Sequence, residues 1–133
     1  MVTANAQNAY KQNAILTASP EELTLMLYNG LVRFIMIAQK AIEDRDIEKA
    51  HDSIIRAEDI IIEFRSTLDM QYELSQGLAM LYEYMSDRLM EANITKDREI
   101  LEEVLHLAKD LRDTWAQAMK LAKNGDRSVE IAK

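Results

Sequence analysis

Two glutamate–histidine pairs in this chain have a spacing that is typical of metal-binding helices. Glu48 precedes His51 by three positions, and Glu103 precedes His106 by the same interval. Residues three apart on a helix lie on the same face. In four-helix bundles that bind two iron ions, Glu-x-x-His pairs on two helices join single glutamates on the other two. The spacing therefore makes a di-iron oxidase one hypothesis for this chain.

The directions of these side chains argue against an iron site. At 100° per residue, Glu103 and His106 fall roughly opposite the apolar stripe of their predicted helix. Glu48 and His51 lie about 100° or more from the centre of the apolar stripe of the second predicted helix. The first predicted helix has no glutamate in its core stripe. The chain also has no cysteine nucleophile and no Gly-rich phosphate loop. We therefore expect no metal, no cofactor and no enzymatic activity.

Composition favours one helical domain. The chain has 133 residues, 48% of them hydrophobic, with only three Gly and one Pro, which is typical of an all-α fold. A net charge of −7 argues against nucleic acid as a partner, because such binding draws on clustered Lys and Arg. The absence of cysteine, of a signal peptide and of a long apolar run predicts a cytoplasmic protein that is not inserted in a membrane.

The elements that must position any site are four predicted helices. The first starts at the N-cap Ser19, with Pro20 at its first position and Glu22 completing a capping box. We expect the first helix to span residues 20–43 and the second to span residues 47–68, after the cap Asp46. The third follows the break at residues 69–71 and ends near residue 93. The fourth starts after the cap Thr95 and ends at residue 123, before Asn124 and Gly125. Short links favour an antiparallel up-down-up-down bundle over residues 19–124. Residues 1–18 are expected to form a mobile arm, and residues 125–133 a frayed tail.

Apolar periodicity divides the large side chains of these helices into two sets. One set forms the expected core and includes Leu31 and Ile35, Ile54 and Ile61, Leu74 and Met85, and Leu101 and Trp115. The other set lies off these stripes: Leu25, Val32, Met36, Ile55, Ile62, Met80, Tyr84, Leu107 and Leu121. Such outlying residues can broaden the core or lie under the N-terminal arm, but as a set they favour a surface for a partner. The same surface could drive self-association when no partner is bound.

Four segments resemble one family at matching places in the helical order. They are residues 17–30 (TASPEELTLMLYNG), 82–85 (YEYM), 88–93 (RLMEAN) and 111–115 (LRDTW). The amino-acid sequences of these segments resemble those of the flagellin-specific export chaperones of the FliS type. The resemblance extends from about residue 8 to residue 119, nearly the whole chain.

The resemblance implies a small acidic cytoplasmic chaperone that binds the disordered C-terminal segment of flagellin. In that family the client wraps around the outside of the bundle, which keeps flagellin monomeric, and the complex is presented to the export gate in the membrane. The nine outlying residues, together with Ile15 of the arm, are then the expected client groove. Tyr10 matches a position implicated in docking on the gate, and an arm displaced by client could make Tyr10 available. Relatives often carry Asn-Pro-Tyr where this chain has Asn5-Ala6-Gln7.

A different function is consistent with the same helical pattern. A four-helix adaptor or regulatory protein would also need an apolar surface, but for a helical partner other than flagellin. Recovery of flagellin from motile cells, and its loss when the flagellin C-terminus is deleted, would separate the two readings.

Overall fold

The computed structural model describes residues 17–132, and the side chains of residues 17–124. It contains four helices: α1 (Pro20–Glu43), α2 (Ile47–Thr67), α3 (Glu73–Thr95) and α4 (Arg98–Ala132), with no strand between residues 17 and 132. The predicted all-α, four-helix fold is confirmed. The expectations for Tyr10, Ile15 and the rest of the arm up to residue 16 lie outside the described residues.

The first two helices start where their capping residues predict. The Ser19 Oγ accepts a hydrogen bond from the backbone N–H of Glu22 at 3.2 Å, and Pro20 begins α1. The Asp46 Oδ1 accepts one from the backbone N–H of Lys49 at 3.1 Å. Each cap satisfies an N–H group that the first turn of a helix leaves without an internal partner.

The start of α4 differs from the prediction that Thr95 caps it. Thr95 is the last residue of α3, and its hydroxyl donates to the carbonyl oxygen of Glu91 at 2.9 Å. Lys96 then adopts a left-handed conformation with φ of 52°, which ends α3. The Asp97 Oδ1 accepts from the backbone N–H of Glu99 at 2.8 Å. Because Asp and Thr are both good caps, the sequence could not by itself choose between Asp97 and Thr95.

The predicted end of α4 near Lys123 is wrong. The helix continues through Asn124 and Gly125 to Ala132, which gives it 35 residues against 24 in α1. A glycine inside a helix costs only about 1 kcal/mol relative to alanine, and no proline follows it to enforce a stop. At a rise of about 1.5 Å per residue, α4 is about 50 Å long and α1 about 36 Å.

Each helix packs against two others, in the cyclic order α1, α2, α3, α4. Tyr28 in the first half of α1 packs against Phe64 near the end of α2, with ring centroids 4.4 Å apart and the rings tilted by 32°, and Phe64 stacks on Tyr82 of α3. At the other end, Gln39 of α1 donates to Glu102 near the start of α4 at 2.7 Å. These contacts are those of helices that run in opposite directions.

The core between the four helices is closed. Its largest fully buried side chains are Leu31, Ile35, Ile54, Ile61, Met85, Leu89, Leu101 and Val104. No fully buried side-chain nitrogen or oxygen among the described residues lacks a hydrogen-bond partner. Leu74 was predicted to belong to this core, but it is 75% exposed. It lies in the first turn of α3, next to the link from α2, so the neighbouring helices do not cover it.

Among the described residues, α1 is the one helix whose length and apolar composition would suffice to cross a membrane. Its residues Leu31, Ile35 and Ala38 are completely buried in the bundle core. Part of the apolar surface of α1 is therefore buried against the other helices.

Candidate partner-binding surface

The outer face of α3 exposes four large apolar side chains, interspersed with acidic ones such as Asp87. Met80 is 73% exposed, Ile94 is 78% exposed, and Met90 and Tyr84 are also exposed. Their spacing places all four within about one third of the helix circumference, opposite the buried residues of α3. A helix that packs on a core by one face normally presents polar side chains on the other. Four exposed large apolar side chains on one helix face are a candidate contact for a partner, with Asp87 and other acidic residues between them.

One edge of α2 extends this apolar face. Ile55 and Ile62 are exposed and lie seven residues apart, on the same side of α2 as His51. The His51 Nδ1 is 3.0 Å from the amide nitrogen of Asn93, so this side of α2 borders α3. Because α2 and α3 run in opposite directions, Ile55 lies at about the level of Met90. We call Ile55, Ile62, Met80, Met90 and Ile94 the α2–α3 surface.

Tyr84 lies at the other edge of α3, where a polar cluster joins α3 to α4. Its hydroxyl donates to the Glu103 Oε1 at 2.6 Å, and the Arg88 Nε donates to the same oxygen at 3.1 Å. A second nitrogen of Arg88 donates to Glu91 at 2.6 Å. The hydrogen bond from Tyr84, and then that from Arg88, lower the pKa of the Glu103 carboxyl. Tyr84 is therefore fixed by its hydroxyl while part of its ring remains exposed.

The predicted groove residues of α1 do not share one environment. Met36 is exposed as predicted and Leu25 is partly buried. Val32 was assigned to the client groove, and this assignment is wrong because Val32 is only 5% exposed. It lies seven residues before Gln39, on the side of α1 that meets Glu102 of α4, so α4 covers it.

The two predicted groove residues of α4 also separate. Leu107 is partly buried and packs against the core, so it does not belong to the exposed set. Leu121 is exposed, but it lies six residues beyond Trp115, whose indole nitrogen donates to the carbonyl oxygen of Glu21 at the start of α1. Leu121 therefore extends past the packed part of the bundle, away from the α2–α3 surface.

Sequence reasoning missed several exposed apolar residues. These are Met26, Ile47, Met70, Tyr72, Met90 and Ile94, besides the misplaced Leu74. The spacing of Met80 and Ile94, two heptads apart, was a signal for the outer stripe of α3. Residues in the link between α2 and α3 had no comparable signal, because helical periodicity does not apply there.

The glutamate–histidine pairs do not approach one another. The side chain of His51 interacts with Asn93, and the His106 Nε2 lies 3.6 Å from Asp110 on the exposed side of α4. Within residues 17–124, no group of three or more His, Asp or Glu side chains is arranged to hold a metal ion. The geometry of Glu48 and Glu103 therefore gives the di-iron hypothesis no support.

The chain is similar to a known family over nearly its whole length. The family model described as "Flagellar protein FliS" matches residues 3–122. A Bacillus subtilis (strain 168) protein named "Flagellar secretion chaperone FliS" is 45% identical over 120 residues, which cover 90% of each chain. A Salmonella typhimurium protein of the same name is 32% identical over 88% of this chain and 92% of its own.

A solved structure supports the fold. It is described as "Crystal structure of flagellar chaperone from bacteria" and superposes with a TM-score of 0.71 over 89% of this chain and 98% of that one. At 20% sequence identity, this likeness concerns the arrangement of helices alone.

Proposed function

The chain belongs to the FliS family, a family of flagellar secretion chaperones and not of enzymes, and from that premise we propose that its client is flagellin. It binds the disordered C-terminal segment of flagellin in the cytoplasm and prevents premature polymerisation. It then delivers the client to the flagellar type III export gate.

The α2–α3 surface is the observation that supports this proposal most. The bundle core is closed without Ile55, Ile62, Met80, Met90 or Ile94, so these side chains are not needed to complete the fold. Five large apolar side chains left in water at adjoining positions mark a place where another chain binds.

Simple energetics indicate what kind of client fits. Covering five large apolar side chains contributes at most about 8–15 kcal/mol, at about 1.5–3 kcal/mol each. Fixing the backbone of a disordered client costs about 1–2 kcal/mol per residue. The balance favours a client that orders in short stretches with loose segments between them, as a wrapped C-terminal segment would.

The stripe on α3 suits a helical stretch of client. Met80 and Ile94 are fourteen residues apart, or about 21 Å along the helix axis. An amphipathic client helix of about four turns, with apolar residues at helical spacing, could lie along this stripe. Met36 and Leu121, which lie on other faces, would then contact further stretches of the same client.

The N-terminal arm has a separate part in the proposal. We assign Tyr10 to docking on the cytoplasmic domain of the export-gate membrane protein, and Ile15 to the client groove or its cover. If the arm covers part of the groove in the free protein, client binding would displace it and release Tyr10. Tyr10→Ala should then leave flagellin binding intact while the loaded complex loses affinity for the gate domain. Unchanged gate affinity would refute this role.

Titration calorimetry with the purified flagellin C-terminal segment tests the client-binding proposal. Ile62→Asp and Met80→Asp each place a carboxylate in the α2–α3 surface, so each should weaken binding at least about tenfold. Gln71→Asp adds the same charge at an exposed position of the link between α2 and α3, outside the proposed client contacts, and is the matched control. Circular dichroism should show equal helicity in all variants. Undiminished binding by both surface variants would contradict the proposal.

The proposal also includes the state of the protein without client. An exposed apolar surface favours self-association, and a bound client would cover it. Light scattering should therefore show fewer chaperone chains per particle when excess flagellin segment is present. Ile62→Asp should lower the mean particle mass of the protein alone, without any client.

A further inference from the structure

Methionine is unusually exposed in this protein. Of the seven methionines between residues 17 and 124, Met85 is buried at 0% exposure and Met119 is partly buried. The exposed ones are Met26, Met36, Met70, Met80 and Met90. Methionine normally ranks among the most often buried residue types. The chain has no cysteine, so these thioethers are its most readily oxidised side chains.

We propose that Met80 and Met90 form an oxidant-sensitive site that switches off binding at the α2–α3 surface. The inference rests on the proposed function, because it concerns regulation of the same surface. The oxidant is a hydroperoxide or a hypohalous acid. Both methionines lie on the outer face of α3, Met80 at 73% exposure and Met90 at 56%, so a small oxidant in solution has access to both side chains.

The chemistry is a two-electron oxygen transfer. With hydrogen peroxide, a sulfur lone pair attacks one peroxide oxygen, the O–O bond breaks, and the other oxygen leaves as hydroxide. The sulfur-bound hydroxyl loses its proton, and the hydroxide takes up a proton to form water. The thioether is oxidised to a sulfoxide and the peroxide is reduced. Thiol-dependent methionine sulfoxide reductases reverse the change, so the site can be reset.

The position of the two sulfurs explains why oxidation should act on binding. A sulfoxide replaces an apolar, flexible side chain with a polar one among the exposed apolar side chains of the α2–α3 surface. A client that covers it must remove that polar group from water without a matched hydrogen-bond donor. Binding should weaken by about tenfold for each sulfoxide covered.

Burial protects the fold from the same oxidant. Met85 lies on the opposite face of α3, packed in the core at 0% exposure. Mild oxidation should therefore convert Met80 and Met90 while Met85 remains a thioether. The protein would lose its client without unfolding.

The test uses the full chain, treated with hydrogen peroxide under conditions that keep circular dichroism unchanged. Peptide mass spectrometry should place sulfoxide at Met80 and Met90 before Met85. Calorimetry with the flagellin C-terminal segment should show at least about tenfold weaker binding after treatment, restored by a sulfoxide reductase with thiol. Because Met36 is also exposed and is among the proposed client contacts, this comparison is made in proteins that carry Met36→Leu. In that background, Met80→Leu/Met90→Leu should bind like the untreated protein and remain resistant to oxidant.

Two matched controls make the assignment specific. Met26→Leu/Met70→Leu removes two exposed methionines outside the α2–α3 surface and should leave the oxidant sensitivity unchanged. Met85→Leu removes the buried one and should also leave it unchanged. Persistent sensitivity in Met80→Leu/Met90→Leu, or resistance in Met26→Leu/Met70→Leu, would overturn the proposal.

Failure of the inference can be distinguished from failure of the proposed function. If the untreated protein does not bind the flagellin segment, the proposed client is wrong. The sulfoxide map and the fluorescence of a dye that binds apolar surfaces still report on the site in that case. Oxidation should reduce dye fluorescence in the unsubstituted protein but not in Met80→Leu/Met90→Leu, and equal reduction in both would refute the switch.

Discussion

The hydroxyl oxygens of Tyr28 and Tyr82 lie 2.7 Å apart inside the bundle and join α1 to α3 by a hydrogen bond. Both side chains are buried, at 5% and 2% exposure. The ring of Phe64 from α2 packs against both, with centroids 4.4 Å from Tyr28 and 5.5 Å from Tyr82. Three helices therefore meet at one aromatic cluster whose polar atoms satisfy each other.

Removing one hydroxyl of this pair should cost more than removing both. Tyr82→Phe leaves the Tyr28 hydroxyl buried without its partner, which should lower the free energy of unfolding by about 1–3 kcal/mol. Tyr28→Phe/Tyr82→Phe removes both polar atoms, so its stability should return close to that of the unsubstituted protein. Urea denaturation followed by circular dichroism measures both. A double variant less stable than either single variant would contradict this account of the pair.

The same pair predicts a loss of stability in alkali. Burial raises the pKa of Tyr28 and of Tyr82, and the mutual hydrogen bond raises that of Tyr82 further. Above a pH of about 10 the tyrosines of the unfolded chain lose protons while the buried pair keeps them, so the unfolded state gains stability. The free energy of unfolding should fall by at most about 1.4 kcal/mol per pH unit for each tyrosine. It should fall less steeply in Tyr28→Phe/Tyr82→Phe, and equal slopes would exclude the pair as the cause.

Val32 and Met36 should respond differently to the same substitution. Val32→Asp buries a carboxylate between α1 and α4, which should lower the free energy of unfolding by about 3 kcal/mol or more. Met36→Asp places it at an exposed position, where the change should stay within about 0.5 kcal/mol. Thermal unfolding distinguishes the two variants. Similar melting temperatures would show that α4 does not cover Val32.

Met90, which periodicity did not assign to the groove, should matter for client binding. Met90→Asp adds a charge at the centre of the α2–α3 surface, level with Ile55, so binding of the flagellin segment should weaken at least about tenfold. Calorimetry on Gln71→Asp, which adds the same charge outside the proposed client contacts, provides the comparison. Equal affinities would restrict the binding surface to the residues predicted from sequence.

The carboxyl of Glu103 should titrate at a higher pH when Tyr84 loses its hydroxyl. The Tyr84 hydrogen bond is the largest of the effects that lower the pKa of Glu103, so Tyr84→Phe should raise that pKa toward the ordinary value. Carbon-detected NMR of the side-chain carboxyl measures the titration directly. Tyr72→Phe, at an exposed tyrosine of the α2–α3 link, should leave the titration unchanged.

Periodicity and capping predicted most of the fold, and the errors have particular physical reasons. Ser19 and Asp46 cap helices as expected because their side chains act on backbone groups two or three residues away. Val32 and Leu74 were misplaced because their exposure depends on where another helix begins, ends or crosses. A helical wheel contains no information on that point.

The site was less predictable than the fold for a related reason. Ile55, Ile62 and Met80 could be assigned from the sequence, since they lie well off the core stripes of their helices. Met90 and Ile94 complete the same surface, but their role depends on α2 and α3 lying side by side. Only the packed structure brings the two helices into register.

The short links between the helices also affect how quickly the protein forms. Residues 44–46, 68–72 and 96–97 join successive helices, so three of the four helix pairs form between neighbours in the chain. Helical bundles dominated by such local contacts fold in microseconds to milliseconds, on the order of the fastest domains known. Ribosomes add only about 5–20 residues per second. A newly released chain can therefore be in its native state before a ribosome has added one more residue to a nascent client.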